Sequence, residues 1–350
     1  MGRLRAAVIG AGFIAGYGHL PGYRAADDEA EVVAICDLVG RRTARLATQF
    51  EIPKQYADWR EMLAAERPDV VSVCLPNTLH LEPTLAALES GAHVLCEKPL
   101  ATSLAEAKEM FAGARRAGRH LMCAQHYRFR PPSLELKAEI EAGRLGEVYY
   151  GEATALRRLG IPTWGAFHSR SASAGGALLD IGVHMLDQTL WLMGNPEPVR
   201  VSATTETRFG HRPEVAAALG DRWDPTVFDV DDFAVALVRF ATGGTLLLRA
   251  SWASHWPGDD RMTSLVLGTV AGANTAPATL HFHAGTEPVD EPFETVEREA
   301  FQAEIAHFLA VARGEAEPLV TEAQSLDVQR ILDAAYRSAA QRREVEVEPV

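Results

Sequence analysis

Apolar positions in the first third of the chain fall into short β-prone runs separated by stretches with helical spacing. Leu4–Ile9, Glu31–Asp37, Asp69–Leu75, His93–Cys96 and His120–Gln125 read as strands. Ile14–Ala26, with an irregularity around Gly18 and Pro21, and Arg41–Phe50, Asp58–Glu66, Glu82–Ser90 and Leu104–Ala117 read as helices. Asp69–Leu75 is almost continuously apolar, the pattern of a parallel strand covered on both faces. The regular alternation predicts an α/β domain on a doubly wound parallel sheet.

The pattern changes after Phe129. Pro131-Pro132 marks a break, and Leu134–Ala142 reads as a helix, Gly146–Ala155 as a strand and Leu178–Met193 as a helix. Val199–Arg208, Asp232–Ala241, Gly244–Ser254, Ser264–Leu267 and Thr279–His283 then follow as strands without intervening helices, with Thr242-Gly243-Gly244 as a hairpin turn. Helices near Ala300–Arg313 and Ala323–Arg342 end the chain. Strands in succession predict an α+β domain on an antiparallel or mixed sheet. The expected division is 1–126 and 127–350. Residues 209–228 carry no assignable pattern and read as a loop or insertion.

At 350 residues the chain is long enough for two cores. Its 47% hydrophobic and 23% charged residues are those of a globular protein. A net charge of −13 argues against nucleic acid as a partner, because phosphate contact needs a clustered basic surface. Arg115-Arg116 reads as a solvated helix face. Cys36, Cys74, Cys96 and Cys123 each lie in or at the end of a strand-like run, without metal or redox spacing. They are expected to be buried free thiols, which suits a reducing, cytoplasmic setting. The N-terminus enters a strand almost at once, so no signal peptide is expected, and no apolar run is long enough to span a bilayer.

Gly10-Ala11-Gly12-Phe13-Ile14-Ala15 lies between a predicted strand and a predicted helix and matches a dinucleotide fingerprint. Gly10 allows a tight turn, Gly12 lets a pyrophosphate approach the backbone, and Ala15 permits close helix–sheet packing. The helix N-terminus offers free N–H groups to phosphate. Asp37 ends the second strand, where a ribose-binding carboxylate belongs, and favours NAD over NADP. Arg41 and Arg42 either form a solvated helix face or swing toward the adenosine and blunt that preference.

Cys96-Glu97-Lys98-Pro99 sits at the carboxyl end of a strand, where ligands bind in open α/β sheets. Lys98 there is either a proton-transfer or oxygen-polarising group, or half of a surface Glu–Lys pair. In Gly175–Asp187, Asp180 and His184 are four apart on one helical face. With Asp187 and Gln188 they form a polar stripe on an otherwise apolar, buried helix. That stripe either meets a ligand or is satisfied inside the core. His281 and His283 share one side of a strand, but no third ligand is near, so they read as structural and no metal is expected.

Together with Leu75-Pro76-Asn77-Thr78-Leu79-His80 and Tyr127-Arg128-Phe129, these motifs resemble the glucose–fructose oxidoreductase, inositol dehydrogenase and rhizopine-catabolism family, Gfo/Idh/MocA, over most of the chain. The resemblance implies an N-terminal Rossmann domain and a C-terminal domain with a large, mostly antiparallel open sheet. That sheet would form a homodimer or homotetramer. It also implies bound NAD(P) and a sugar or cyclitol substrate, with hydride transfer between a secondary alcohol and its ketone. Gly10, Gly12, Phe13, Ile14, Ala15, Asp37, Arg41, Arg42, Leu75, Pro76, Asn77, His80, Glu97 and Lys98 would bind the cofactor. Lys98, Asp180 and His184 would be catalytic, with the formal base left open between Lys98 and His184. They would share the substrate with Tyr127, Arg128, Arg157, Arg158, Trp164, His168 and Trp252. Arg157 and Arg158 either fork onto an acidic or phosphorylated sugar or lie on the surface. Two other functions fit the same motifs: an NAD-dependent glycosidase acting by transient oxidation and elimination, and a non-catalytic dinucleotide sensor.

Overall fold

A computed structural model describes residues 2–293, 295 and 299–349. It divides into two compact units, Met1–His126 with Arg298–Ser325, and Tyr127–Glu297 with Leu326–Val350.

The first unit is built on six parallel strands: β1 (Leu4–Ile9), β2 (Ala30–Cys36), β3 (Lys54–Tyr56), β4 (Val70–Val73), β5 (His93–Glu97) and β6 (Leu121–Ala124). Their order is β3-β2-β1-β4-β5-β6, the doubly wound Rossmann arrangement. Every residue of β4 and β6 is buried, as apolar runs in a two-sided sheet require. The sequence pattern does not reveal β3. It is a short edge strand, Lys-Gln-Tyr, and polar side chains there protect the sheet edge.

The helix after β1 opens with a π turn at Ala15–His19 and continues through Leu20–Ala25. Helix Ala300–Ala312 packs against it. A Cβ at Gly18 would meet Phe301 at 2.7 Å, and one at Gly22 would meet Ile305 at 2.6 Å, so the two glycines let the helices approach. Residues 299–325 therefore pack with the first unit.

The second unit carries nine strands: β7 (Val148–Leu156), β8 (Pro198–Glu206), β9 (Phe233–Phe240), β10 (Thr245–Ser251), β11 (Arg261–Gly268), β12 (Gly272–Thr275), β13 (Ala278–Ala284), β14 (Glu287–Pro292) and β15 (Val345–Glu346). Their order is β14-β13-β12-β11-β7-β10-β9-β8-β15, antiparallel except for β7 with β10. In β9 and β10 buried residues alternate with half-buried or exposed ones, so one face is packed and the other open. Helix Val183–Leu192, wholly buried, covers the packed face. Gly151 and Gly182 allow its approach, since a Cβ would meet Thr189 at 2.8 Å and Ala250 at 3.0 Å respectively.

Pro131 and Pro132 begin helix Pro131–Glu141 instead of breaking the chain; proline is tolerated in a first helical turn, where its missing N–H costs nothing. Residues 209–228 are an anchored excursion containing helix Pro213–Ala218. Asp232 accepts the backbone N–H groups of Arg208, Phe209 and Gly210, and Trp223 Nε1 donates to Gly210 O at 2.8 Å. Among the described residues no helix is long and apolar enough to cross a membrane.

Candidate active site

In the first unit the loop after β1 is locked from two sides. Gly10 N donates to Cys36 O at 2.7 Å, and a Cβ on Gly10, whose φ is 101°, would lie 2.3 Å from Cys74 O. Glycine is obligatory there for both space and backbone conformation. Gly12 differs: an added Cβ would meet nothing within 4 Å. Protein packing does not demand its missing side chain, but a close-lying ligand would. Ala15, at the start of the helix, is fully buried, Ile14 half-buried and Phe13 54% exposed, stacked on Tyr17 at 5.1 Å.

Asp37 follows β2. Its Oδ2 accepts from Ala11 N at 2.9 Å and its Oδ1 from Val39 N at 2.8 Å, so the carboxylate ties the glycine loop to the end of β2. Arg42 stands 4.0 Å from it, while Arg41 is exposed. After β4, Leu75 is half-buried, Pro76 exposed, and Asn77 buried at the start of a 3-10 turn.

Two expected cofactor contacts face inward instead. His80 is 1% exposed, and its ring nitrogens lie 2.9 Å from Leu75 O and 3.0 Å from Pro99 O. Glu97 is buried: Oε1 pairs with His19 Nε2 at 3.0 Å, and Oε2 accepts Lys98 N at 3.1 Å. A polar chain continues from His19 Nδ1 to Ser72 Oγ at 3.0 Å and on to Tyr23 OH at 2.9 Å. Burial pushes the Glu97 carboxyl up, but the His19 bond and the charges of His19, Lys98 and His126 outweigh it and hold the group below its ordinary value. Both side chains are thus committed to shaping the backbone around Lys98. Lys98 itself is half-buried, and its bond to Pro99 is cis.

Gln125 carried no sequence signal. Glu97 pairs with Ala124 across β5 and β6, so Gln125 leaves its strand level with Lys98. It is 2% exposed, and its Oε1 has no hydrogen-bond partner among the described residues. A buried carbonyl oxygen left this way calls for a donor from a ligand. The open cradle at Gly12, Asp37 at the end of β2 and this oxygen all fit a nicotinamide dinucleotide.

In the second unit, Gly175 and Gly176 precede the polar helix. A Cβ on Gly176 would fall 1.7 Å from Asp231 O, and one on Gly175 would fall 2.2 Å from Tyr336 OH. Asp231 accepts Gly176 N and Leu178 N, both at 2.9 Å, and Tyr336 OH at 2.7 Å. This carboxylate satisfies N–H groups that a helix start leaves open. The helix begins with a π turn, Leu178–Gly182, that carries Asp180. Trp252 Nε1 donates to Asp180 Oδ2 at 2.9 Å. The His184 ring, 6% exposed, lies 5.0 Å from that of Tyr127, over which Arg130 sits at 4.6 Å.

The rest of the polar stripe is satisfied internally. Arg128, expected at the substrate, is fully buried and forks onto Asp187 at 2.7 and 2.6 Å. Gln188 bonds Tyr127 O, Ser133 and Ser264 at 3.1, 2.7 and 2.7 Å. Trp252, also 0% exposed, offers no ring face to a sugar and acts on Asp180 instead. Arg157 bonds Gly160 O at 3.0 Å, and Arg158 is exposed, its backbone N–H held by Asp260. Trp164 is 46% exposed and His168 half-buried. His281 lies between Asp290 and Asn274, a structural placement. Among the described residues no group of three His, Cys, Asp or Glu could hold a metal ion, and the four cysteines are free and buried.

Residues 4–125 match the model of an oxidoreductase family with an NAD-binding Rossmann fold, and residues 137–347 match that family's C-terminal alpha/beta domain. The D-glucoside 3-dehydrogenase of Escherichia coli (strain K12) is 35% identical to this chain, over 98% of this chain and 97% of that protein. The D-xylose 1-dehydrogenase (NADP(+)) 2 of Haloferax volcanii is 30% identical, over 94% and 95% respectively. Levoglucosan dehydrogenase, solved with NADH and L-sorbose, has a TM-score of 0.87 at 25% identity, over 100% of both chains.

Proposed function

We propose that this chain, which belongs to the Gfo/Idh/MocA family of NAD(P)-dependent oxidoreductases and is a sugar dehydrogenase by class, oxidises a secondary hydroxyl of a D-glucopyranoside, at C3, with NAD. The observation that carries the choice of substrate is the near full-length match to a D-glucoside 3-dehydrogenase. Asp37 supports NAD over NADP, since a 2′-phosphate would meet its carboxylate.

When bound, the dinucleotide supplies the hydride acceptor. Gly10, Gly12 and Ala15 would hold its pyrophosphate, Asp37 its ribose, and Asn77 and Gln125 its nicotinamide half. The chain's own side chains handle the proton. His184 takes it from the reacting hydroxyl, Asp180 orients the imidazole or the substrate, and Lys98 donates a hydrogen bond to the oxygen as negative charge develops. Lys98 is the alternative to His184 as formal base. Tyr127, its ring tilted against that of His184, and the exposed Trp164 are the aromatic faces offered to the sugar ring. The open face of the nine-stranded sheet would join copies into a dimer or tetramer. Four buried free thiols suit the cytoplasm.

The test is a panel of alkyl glucosides, free aldoses, inositols and sugar acids with NAD and NADP, followed by NADH formation and identification of the keto product. A 3-keto glucoside is expected. Oxidation of free aldoses to lactones would overturn the position. Release of free sugar without net NADH would move the assignment to a glycosidase working by transient oxidation.

A further inference from the structure

The loops after β4 and β5 are joined by one side chain. His80 Nε2 lies 2.9 Å from Leu75 O, while Nδ1 lies 3.0 Å from Pro99 O and 3.3 Å from Leu100 O. Carbonyl oxygens only accept, and a neutral imidazole carries a single N–H. With a neutral ring, one of the two sides would set lone pair against lone pair at hydrogen-bond distance, in a place 1% exposed where no water can intervene. Only the imidazolium donates from both nitrogens.

We infer that His80 is an imidazolium throughout the neutral pH range, and that it clamps the Leu75–His80 loop to Pro99–Leu100 as a positioning residue for Lys98 and Asn77. The inference rests on the catalytic role proposed above for Lys98. The groups that face the ring favour its charge. Burial opposes protonation, but Cys96 beside the ring, the Leu75 carbonyl and the Glu97 carboxylate outweigh it and bring the ring to about 9. Charge-assisted bonds of this kind are stronger than neutral ones.

The consequence for Lys98 is mechanical. On its N-terminal side, its own N–H is held by Glu97 Oε2 at 3.1 Å. On its C-terminal side, the carbonyl of Pro99 is held by His80. The backbone of Lys98 is therefore fixed from both directions. Asn77 lies two residues after Leu75, the carbonyl at the other end of the clamp.

Two measurements test this. In isotope-labelled holoenzyme at about pH 7.5, the ring-nitrogen shifts of His80 should be those of an imidazolium, whereas an ordinary histidine would be largely neutral. A neutral tautomer there overturns the inference. In His80→Gln, which can reach only one of the two loops as donor, kcat should fall about 100-fold, as expected for a displaced catalytic group, a larger loss than the shift in NADH Kd that a loosened Asn77 brings. Loss confined to the NADH Kd would make His80 a cofactor contact and sink the positioning role. If His80→Gln does not fold, the nitrogen shifts of the unaltered protein still decide the charge. If the unaltered enzyme turns over no carbohydrate, the dehydrogenase reading fails, while the nitrogen shifts continue to decide the clamp.

Discussion

Trp252 donates its indole N–H to Asp180 at 2.9 Å from a position with no solvent exposure. The tryptophan is itself held, since its backbone N–H donates to Asp232 O at 2.9 Å and its ring meets Phe167 and Phe228 edge-on at 6.5 Å. Asp180 thus owes its orientation to a strand end, not only to its own helix.

Trp252→Phe retains most of that packing and removes the donor. A buried carboxylate that loses a partner costs about 1–3 kcal/mol. We expect kcat to fall on the order of 10- to 100-fold, as for other lost positioning contacts, while NADH affinity measured by fluorescence titration stays the same. Unchanged kcat would show that Asp180 needs no help from Trp252.

The residues proposed to hold the dinucleotide are legible in sequence because their chemistry is local. Gly10, Gly12, Ala15 and Asp37 are read from spacing, and the strand–helix alternation places them at the right end of the sheet. What sequence does not show is which way a polar side chain turns. Glu97 and His80 belong to motifs, yet their partners His19, Ser72 and Pro99 lie in other segments. The same holds for Arg128, whose partner Asp187 is 59 residues away. Asp231, Trp252 and Gln125 stand outside any motif and acquire their roles only when strands bring them beside the helix start or Lys98. Strand β3 and the helix Pro213–Ala218 are short and lack apolar periodicity, so no pattern marks them.

The glycines should separate stability from ligand binding. Gly12→Ala adds a methyl group that meets no protein atom within 4 Å, so Tm should hold while the NADH Kd weakens by about tenfold or more, one methyl group against a pyrophosphate. Gly176→Ala would force a methyl group to 1.7 Å from Asp231 O, and a collision that close should unfold the helix start and lower Tm sharply. Thermal melts with and without NADH read both. A Gly12→Ala protein that melts early would show that packing, not the ligand, selects glycine there.

Arg128 should matter to stability and not to substrate recognition. It forks onto Asp187 with both side chains at 0% exposure. Arg128→Met leaves a buried carboxylate without its cation, at a cost of about 3–5 kcal/mol in chemical denaturation. The double variant Arg128→Met with Asp187→Leu should recover most of that loss, since an apolar pair replaces a buried ion pair at little cost. A double variant no better than the single one would mean that the pair's hydrogen bonds, and not charge compensation, carry its contribution.

Two histidines should shape the pH dependence of stability from opposite sides. His80 is raised from an ordinary 6.5 to about 9, with burial opposing and Cys96, Leu75 O and Glu97 prevailing, so the folded chain binds this proton more tightly than the unfolded one. Its contribution is fully present below about 6.5 and is lost as pH climbs through about 9. His93 is lowered to about 4 by burial, by its stacked neighbour His120 and by Arg119. Its Nδ1 accepts His120 N at 3.1 Å, a bond that requires the unprotonated nitrogen. Between about 6.5 and about 4 the unfolded chain takes up a proton that the folded chain refuses, so stability declines as pH falls across that window and levels off below it. Denaturation midpoints measured across pH should therefore fall at both ends. His80→Gln should flatten the alkaline limb alone. His93→Asn, whose amide oxygen can still accept His120 N, should flatten the acid limb alone. If either variant keeps the parent slope on its own limb, that histidine does not carry the titration assigned to it.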